Sequence, residues 1–500
     1  MKIVDSISGS LLILLGLTRA AAADDLGPQQ NPLPPSTLAP PPSSSAPAAP
    51  ADANPPSSST TETAPPPATP PNGPLPLGAR ATPTASGGPG DPASSVAGPG
   101  GFAITSADKQ SEIRFRALVQ TDARVWFDET QRVYTDTFLI RRAQPSLEGR
   151  LPYGVTFLLY PDFGGGTTSL QDAFLGLTLG DAVKFRFGKY RPTFGLERLQ
   201  PTSNLSFVEF GLPTLVTPNR DVGAMVYGDL FGRIFGYAAG VYNGTTDNGS
   251  TDLDADREKE FVGRAYFRPL EPIKDVAGRL FVGGATSFGR VYGTPANPFS
   301  NPSAPAYKTP GQNTDFSYVA APSGVTANYA NTVVANGPHN RYGAYFYYAL
   351  GPFSMMGEYY VSNQEVGRAG YPNVVLSNSA EQLQATFVLF GAKASYDFVH
   401  VETPFNPSAG HFGALELAAR AGHLHIDTSA FPNYASPTAS VRGATEGTVG
   451  INWYWSDNAK FVVNWDHTEF QGGAMANGPE ALAGHREAEN LFLGRAQVVY

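Results

Sequence analysis

The chain has 500 residues, a formal net charge of −9, no cysteine and 41% hydrophobic residues, of which Phe and Tyr supply an unusually large part. An acidic balance argues against a nucleic-acid partner, and the lack of cysteine removes disulfides, thiol nucleophiles, thiolate metal sites and a lipid anchor on Cys together. It does not exclude an anion-conducting pore, because selectivity follows the charge that faces a lumen and not the total.

Taken in chain order, residues 1–23 read as an export signal: Lys2 forms the basic start, Leu11 and Leu12 open an apolar core that runs to Leu17, and small residues around Ala20 and Ala23 precede Asp24 and Asp25. That core is far shorter than the roughly 20 apolar residues of a spanning helix, and no later segment reaches that length without charges or prolines. A helical membrane protein is therefore not expected. Residues 24–109 are dominated by Pro, Ala, Ser, Thr and Gly. Such a composition buries too little apolar surface to fold alone and predicts a disordered, extended linker. A spacer is the simple reading; a tether across the periplasm is the sharper one.

From 110 to 500 the pattern changes to short alternating segments separated by Gly-, Asn-, Asp- and Pro-rich loops. Residues 112–126 set Ile113, Phe115, Ala117, Val119, Thr121, Ala123 and Val125 against Glu112, Arg114, Arg116, Gln120, Asp122 and Arg124, with Leu118 the one exception. Successive side chains of a strand point to opposite faces, so one face suits lipid and the other suits water. Residues 183–188, 261–268 and 448–455 repeat the alternation, and the last strand places Phe492, Gly494, Ala496, Val498 and Tyr500 on one face. The chain ends on an aromatic residue, which is similar to the signal read by the outer-membrane assembly machinery. Short loops at residues 228–232 and 456–460 and long ones at 294–340 and 431–445 match the two ends of an outer-membrane barrel. The expected fold is all-β, a transmembrane antiparallel β-barrel of about 16 strands. A soluble β-sandwich or β-helix is the alternative.

Several segments resemble the phosphate-selective porin O/P family of Gram-negative outer membranes. They include Gln120 with Asp122, residues 138–149 (FLIRRAQPSLEG), 184–198 (KFRFGKYRPTFGLER), the RAYFRPL run ending at Leu270, GALEL from Gly413, and GINWYWSDNAKF from Gly450. The resemblance implies a trimeric barrel in the outer membrane, with a third loop folded inward to narrow the pore. It implies small anions of the phosphate class as the solute, outer-membrane lipid as the surroundings, and no cofactor and no enzymatic activity. Arg141 and Arg142 match the family's arginine pair, and Arg198 follows the GLE of the constricting loop. Where the family tends to place a further arginine this chain has Phe210, and residues 289–342 offer only Arg290, Lys308 and Arg341.

The anion-pathway candidates are thus Arg114, Arg116, Arg124, Arg141, Arg142, Lys184, Arg186 and Arg198, to be weighed against internal pairing with Glu112, Asp122 and Glu148. Arg141 neighbours Arg142 and points outward unless a bulge precedes Pro145. Asp252, Asp254 and Asp256, and the pair His423 and His425, read as solvated or surface groups more readily than as metal ligands. The run from Tyr345 to Tyr348, Tyr359 with Tyr360, and Trp453 with Trp455 are expected in interfacial girdles. Two readings stand beside the anion porin: a general or sugar-type diffusion pore, and a barrel that anchors an envelope tether.

Overall fold

The computed structural model describes residues 94–98, 100–127, 134–294, 297–473 and 486–500, and the export signal and most of the linker lie outside these. A hairpin comes first, β1 (Ser94–Gly98) and β2 (Gly101–Thr105). The wall follows as β3 (Glu112–Trp126), β4 (Thr137–Arg150), β5 (Val155–Asp162), β6 (Ser169–Thr178), β7 (Lys184–Tyr190), β8 (Asp221–Leu230), β9 (Phe235–Tyr242), β10 (Glu260–Phe267) and β11 (Arg279–Tyr292). A small pair, β12 (Ala306–Lys308) and β13 (Thr314–Ser317), sits in the next loop. The wall resumes with β14 (Val334–Leu350), β15 (Phe353–Gly367), β16 (Val374–Phe390), β17 (Ala414–His425), β18 (Val441–Ser456), β19 (Ala459–Gly472) and β20 (Glu489–Val499).

Each wall strand pairs antiparallel with the next, and β20 returns to β3 from Leu491↔Trp126 to Val499↔Leu118. The result is a closed barrel of 16 strands, in which closure removes the open edges that hydrocarbon would not tolerate. Below the level where β20 stops, β2 takes over its place beside β3, from Phe102↔Phe115 to Thr105↔Glu112. The sheet therefore starts before residue 110, with Phe102 and Ile104 facing out as Ile113 and Phe115 do.

Alternation sorts the faces as the strand pattern requires. On β3, Phe115, Val119 and Val125 are exposed on the outer wall, whereas Gln120, Asp122 and Arg124 are buried inside. On β20, Phe492 and Val498 face out, as does Tyr500 just after it, while Arg495 and Gln497 face in. Among the described residues no helix is long and apolar enough to cross a membrane.

The end where Tyr500 lies is called proximal here. Its turns are short, with two exceptions: residues 268–278, between β10 and β11, and the longer residues 391–413, between β16 and β17. The distal end carries the long loops, including residues 191–220 and 293–333. The girdle expectation holds for Tyr359, which is exposed on the outer wall, and for Trp453, which packs outside at the proximal end against Phe405 and Phe461. It fails for Tyr345, Tyr347 and Tyr360, which are at most 4% exposed and point into the barrel. Their positions in the β14 and β15 alternation put them on the inner face, where they pack with Phe281 and Phe194. Part of the lumen is thus filled by an aromatic core.

Candidate functional site: a basic constriction in the lumen

The loop of residues 191–220 leaves β7 and crosses the barrel interior instead of covering its mouth. Gly195 turns it with φ +80, where a Cβ would lie 2.8 Å from the Arg198 Cβ. The next turn, Leu196–Leu199, is helical, and its free N–H groups at Leu196 and Glu197 donate to Glu358 Oε2 on β15 at 2.8 and 3.3 Å. From there the chain is tied to the opposite wall in succession. Gln120 donates to the Thr202 carbonyl, Gln497 to that of Ser203, Lys460 to that of Leu205 and Asn452 to that of Ser206. These amide and ammonium groups lie on inner faces of β3, β20, β19 and β18, so wall alternation itself supplies the loop's supports.

Above this loop lies a cavity of about 240 Å³, lined among others by Arg141, Arg142, Arg191, Arg198, Arg220 and Lys308. Arg141 reaches it through a bulge. Gln120 pairs with Arg142 and Thr121 with Ile140, so Arg141 is the unpaired residue and turns inward beside Arg142. It then grips Glu209 of the loop, Nε to Oε1 at 2.6 Å and Nη2 to Oε2 at 3.1 Å. Glu209 also meets Arg124 at 3.4 Å and Arg495 at 3.9 Å. Burial alone would raise the Glu209 pKa, yet the charges of Arg141 and Arg142 and the hydrogen bonds from Arg141 hold it well below the usual carboxylate range.

Three other guanidiniums have no such partner. Among the described residues Arg142, Arg191 and Arg198 make no ion pair; their bonds go to neutral oxygens. Arg142 donates to Gln120 Oε1 at 2.6 Å, and Arg191 Nη1 donates to the carbonyls of Arg198 and Gln200, each at 2.6 Å. Arg198 donates to the Thr214 carbonyl and, at 2.6 Å, to Asn248 Oδ1. Arg191 Nε is buried without a partner. Burial, with the nearby charge of Arg220 next, pushes both Arg191 and Arg198 down to about 9. Phe210, where a further arginine was expected from the resemblance, lies under both side chains, its ring centre 5.7 Å from the Arg191 guanidinium and 5.0 Å from that of Arg198.

The sequence candidates therefore divide. Arg141, Arg142 and Arg198 converge on the cavity, and Arg124 lies behind Glu209. Arg114 and Arg116 sit towards the proximal end, paired with Glu112 at 2.9 Å and Glu148 at 3.2 Å. Lys184 is 3.9 Å from Asp229, and Arg186 is sheathed by Phe174, Tyr190 and Tyr227. Arg191, Arg220 and Lys308 were missed as candidates. Arg191 lay inside the quoted 184–198 block, and its position just past the end of β7 was the signal available. Arg220 is paired with Asp172 at 3.2 Å, and Lys308 arrives from the 293–333 loop, a placement that no local pattern announces.

Of the remaining expectations, Asp252 pairs with Lys189 at 2.5 Å and Asp254 with Lys259, and Asp256 accepts from the backbone of Tyr292 and Glu258. His425 is exposed, and His423 bonds Thr445 at 3.0 Å on the outer wall.

A closed wall with an apolar exterior, a polar interior and a loop folded across its lumen defines an outer-membrane porin. The chain belongs to the family of phosphate-selective porins O and P, whose model matches residues 113–297 and 307–500. No curated relative matches it. Among solved structures it is similar to the outer-membrane channel DcaP of Acinetobacter baumannii, at 11% identity and TM-score 0.50 over 78% of this chain and 97% of that one. That likeness concerns the fold. OmpT of Vibrio cholerae (13% identity, TM-score 0.47, 78% and 98% coverage) and an anion-selective porin from Comamonas acidovorans (11%, 0.46, 78% and 100%) are more loosely similar.

Proposed function

We propose that this porin passes small oxyanions of the phosphate class, with Arg142, Arg191 and Arg198 as the groups that lower the barrier at the constriction. The observation that carries the reading is that these three cations, Arg142 and Arg198 buried and Arg191 half-buried, border one cavity and make no ion pair with a carboxylate among the described residues. A buried charge without a counter-charge is costly, and an oxyanion passing between the guanidiniums would supply one. Arginine keeps its charge and offers a planar fork of donors, so each contact is strong enough to admit the ion, and a bound ion can be displaced by the next. Arg114, Arg116 and Lys184, being paired, serve the polar interior more than the ion.

A second reading, a general or sugar-type diffusion pore, is favoured by Glu209, which neutralises Arg141 inside the same cavity. Reversal potentials in a salt gradient, with phosphate block of the chloride current, separate the two. Anion preference that falls in Arg198→Ala supports the first; cation preference, or no change in that variant, sinks it. The resemblance further supports a homotrimer, export through residues 1–23, assembly by the outer-membrane machinery and a periplasmic linker at residues 24–109. Chemical cross-linking of the purified channel and N-terminal sequencing of the exported chain test these points.

A further inference from the structure

Two further arginines of the lumen wall lack an acid partner among the described residues, and both lie proximal to the cavity among aromatic rings. Arg186 sits on the inner face of β7, the strand that leads up to Arg191. Its guanidinium stands 4.2 Å from the ring centre of Phe174 on β6, 5.2 Å from that of Tyr190 and 5.5 Å from that of Tyr227 on β8. Arg264 on β10 lies 4.9 Å from the ring centres of both Tyr266 and Tyr345, and its Nε donates to the Tyr345 hydroxyl. Register relates the two sites. Lys184 pairs with Tyr227, Tyr227 with Ala238 and Ala238 with Arg264, so only Tyr227 and the small side chain of Ala238 occupy the inner rows between β7 and β10 at this level. Tyr345 is backed in turn by Phe281 at 6.4 Å, and Phe281 by Tyr396 of residues 391–413 at 5.5 Å.

The acids on the neighbouring inner faces are committed elsewhere. Asp172 of β6 holds Arg220 at 3.2 Å, and Asp229 of β8 holds Arg268 at 3.0 Å and Lys184 at 3.9 Å. Asp221 of β8 accepts from the backbone N–H groups of Val222 and Gly244, and Glu260 of β10 holds Arg341 at 2.6 Å. Among the described residues the Arg186 side chain has neither an ion pair nor a hydrogen bond. Its Nε is buried without a partner, while its terminal nitrogens keep contact with the lumen, and Arg264 is half-buried as well.

We infer that Arg186 and Arg264 form a second anion-binding station, and that its ligands are organic anions with a carboxylate head and a flat apolar body, such as aromatic carboxylates. The inference rests on the proposed function in that the lumen conducts anions, and it adds a solute class that the cavity around Arg198 is not built to prefer. Rings over the faces of a guanidinium leave its in-plane N–H fork free, and that fork matches a carboxylate. A ring carried by the carboxylate then packs against Phe174 and the tyrosines in edge or offset contact. Phosphate has no such body. It would surrender hydration to rings that return no hydrogen bond. The distal arginines differ in their setting, since amide and carbonyl oxygens hold them in place of rings: Gln120 for Arg142, backbone carbonyls for Arg191 and Asn248 for Arg198.

The test is block of the chloride current by benzoate, acetate and inorganic phosphate, read from the full-length channel in planar bilayers. Benzoate and acetate share a head group and a charge, so their difference isolates the ring. Benzoate is expected to block the parent at a concentration about fivefold below that of acetate; equal block by the two would overturn the inference. Arg186→Gln is expected to weaken benzoate block by about tenfold and phosphate block by much less, and Arg264→Gln gives the same comparison from the other strand. Phe174→Leu keeps the charge and an apolar side chain, and is expected to bring benzoate close to acetate. Equal losses for benzoate and phosphate in both arginine variants, or an unchanged preference for benzoate in Phe174→Leu, would overturn the inference as well, with heat-modifiable migration equal to the parent's showing that each variant is folded. Phosphate block without a preference for benzoate removes the second station and leaves the proposed function standing; a preference for benzoate without phosphate block does the reverse.

Discussion

Arg141 and Glu209 form a two-pronged ion pair across the lumen, Nε to Oε1 at 2.6 Å and Nη2 to Oε2 at 3.1 Å, and a β-bulge makes it possible. Without the extra residue in β4, Arg141 would alternate outward into lipid, and Glu209 would lose the cation that contributes most to keeping it ionised. The pair also joins the wall to the constricting loop. It fixes where the loop's own arginines stand.

Removing the carboxylate tests what that pair does to an ion. In Glu209→Gln the charges of Arg141 and Arg124 would face the cavity uncompensated, adding to the field of Arg142, Arg191 and Arg198. The anion-to-cation permeability ratio is expected to rise by about tenfold, equivalent to about 1.4 kcal/mol at the barrier. Reversal potentials in a potassium chloride gradient measure it. A fall in the ratio would mean that Glu209 acts by shaping the loop and not by its charge.

The free and the paired arginines should behave differently on substitution. A charge-assisted hydrogen bond contributes about 1.5–3 kcal/mol, so Arg191→Gln is expected to weaken phosphate block of the chloride current by about ten- to a hundredfold. Arg116→Gln, which removes a group already facing Glu148 at 3.2 Å, is expected to leave the block close to that of the parent. Titrating phosphate against chloride conductance in both variants decides the point, and equal effects would remove the distinction.

How much of this could be read from the chain is visible in four places. The two faces of residues 112–126 and the terminal strand follow from period-2 alternation, a local property, and the structure repeats them side chain by side chain. Arg141 needed one more fact, a bulge, which neighbouring arginines before a proline made thinkable but not certain. Lys308 and Tyr396 were out of reach, since each is brought to the lumen by a loop whose path depends on distant strands: Lys308 by residues 293–333 and Tyr396 by residues 391–413. The inner tyrosines were misjudged for a related reason. Aromatic content alone does not say which face a residue takes, and Tyr345 and Tyr347 share the inner parity of β14 with Arg341.

The seam of the barrel rests on a second two-pronged pair. Arg495 of β20 donates Nε and Nη2 to the Asp122 carboxylate of β3, both at 2.7 Å, and both residues are almost fully buried. Removing one member of such a pair leaves an uncompensated charge and costs about 3–5 kcal/mol. Asp122→Asn should therefore lower the temperature at which the folded barrel loses its compact gel migration. The double variant Asp122→Asn with Arg495→Gln should recover part of that loss, since it leaves no lone charge behind. No recovery would indicate that the two residues act independently.

The 293–333 loop gives the last prediction, through Asp315 of β13. Both carboxylate oxygens are buried and meet no hydrogen-bond partner among the described residues, and burial pushes the group up to about 6, against the opposing pull of Arg486. A folded-state pKa raised above the ordinary value near 3.8 means that the anchored loop is favoured while Asp315 is protonated. That contribution is complete below the unfolded value and is lost as pH rises through about 6. The β12–β13 pair should hence exchange its amide hydrogens more slowly at pH 5 than the intrinsic chemistry alone explains, and faster at pH 7, with the difference abolished in Asp315→Asn. Mass-spectrometric exchange of the intact channel at matched intrinsic rates reads this directly. A protection pattern independent of pH in the parent chain would show that Asp315 is solvated after all, and that Lys308 is held over the cavity by the contacts of Thr309 and Asn313 with Glu489 alone.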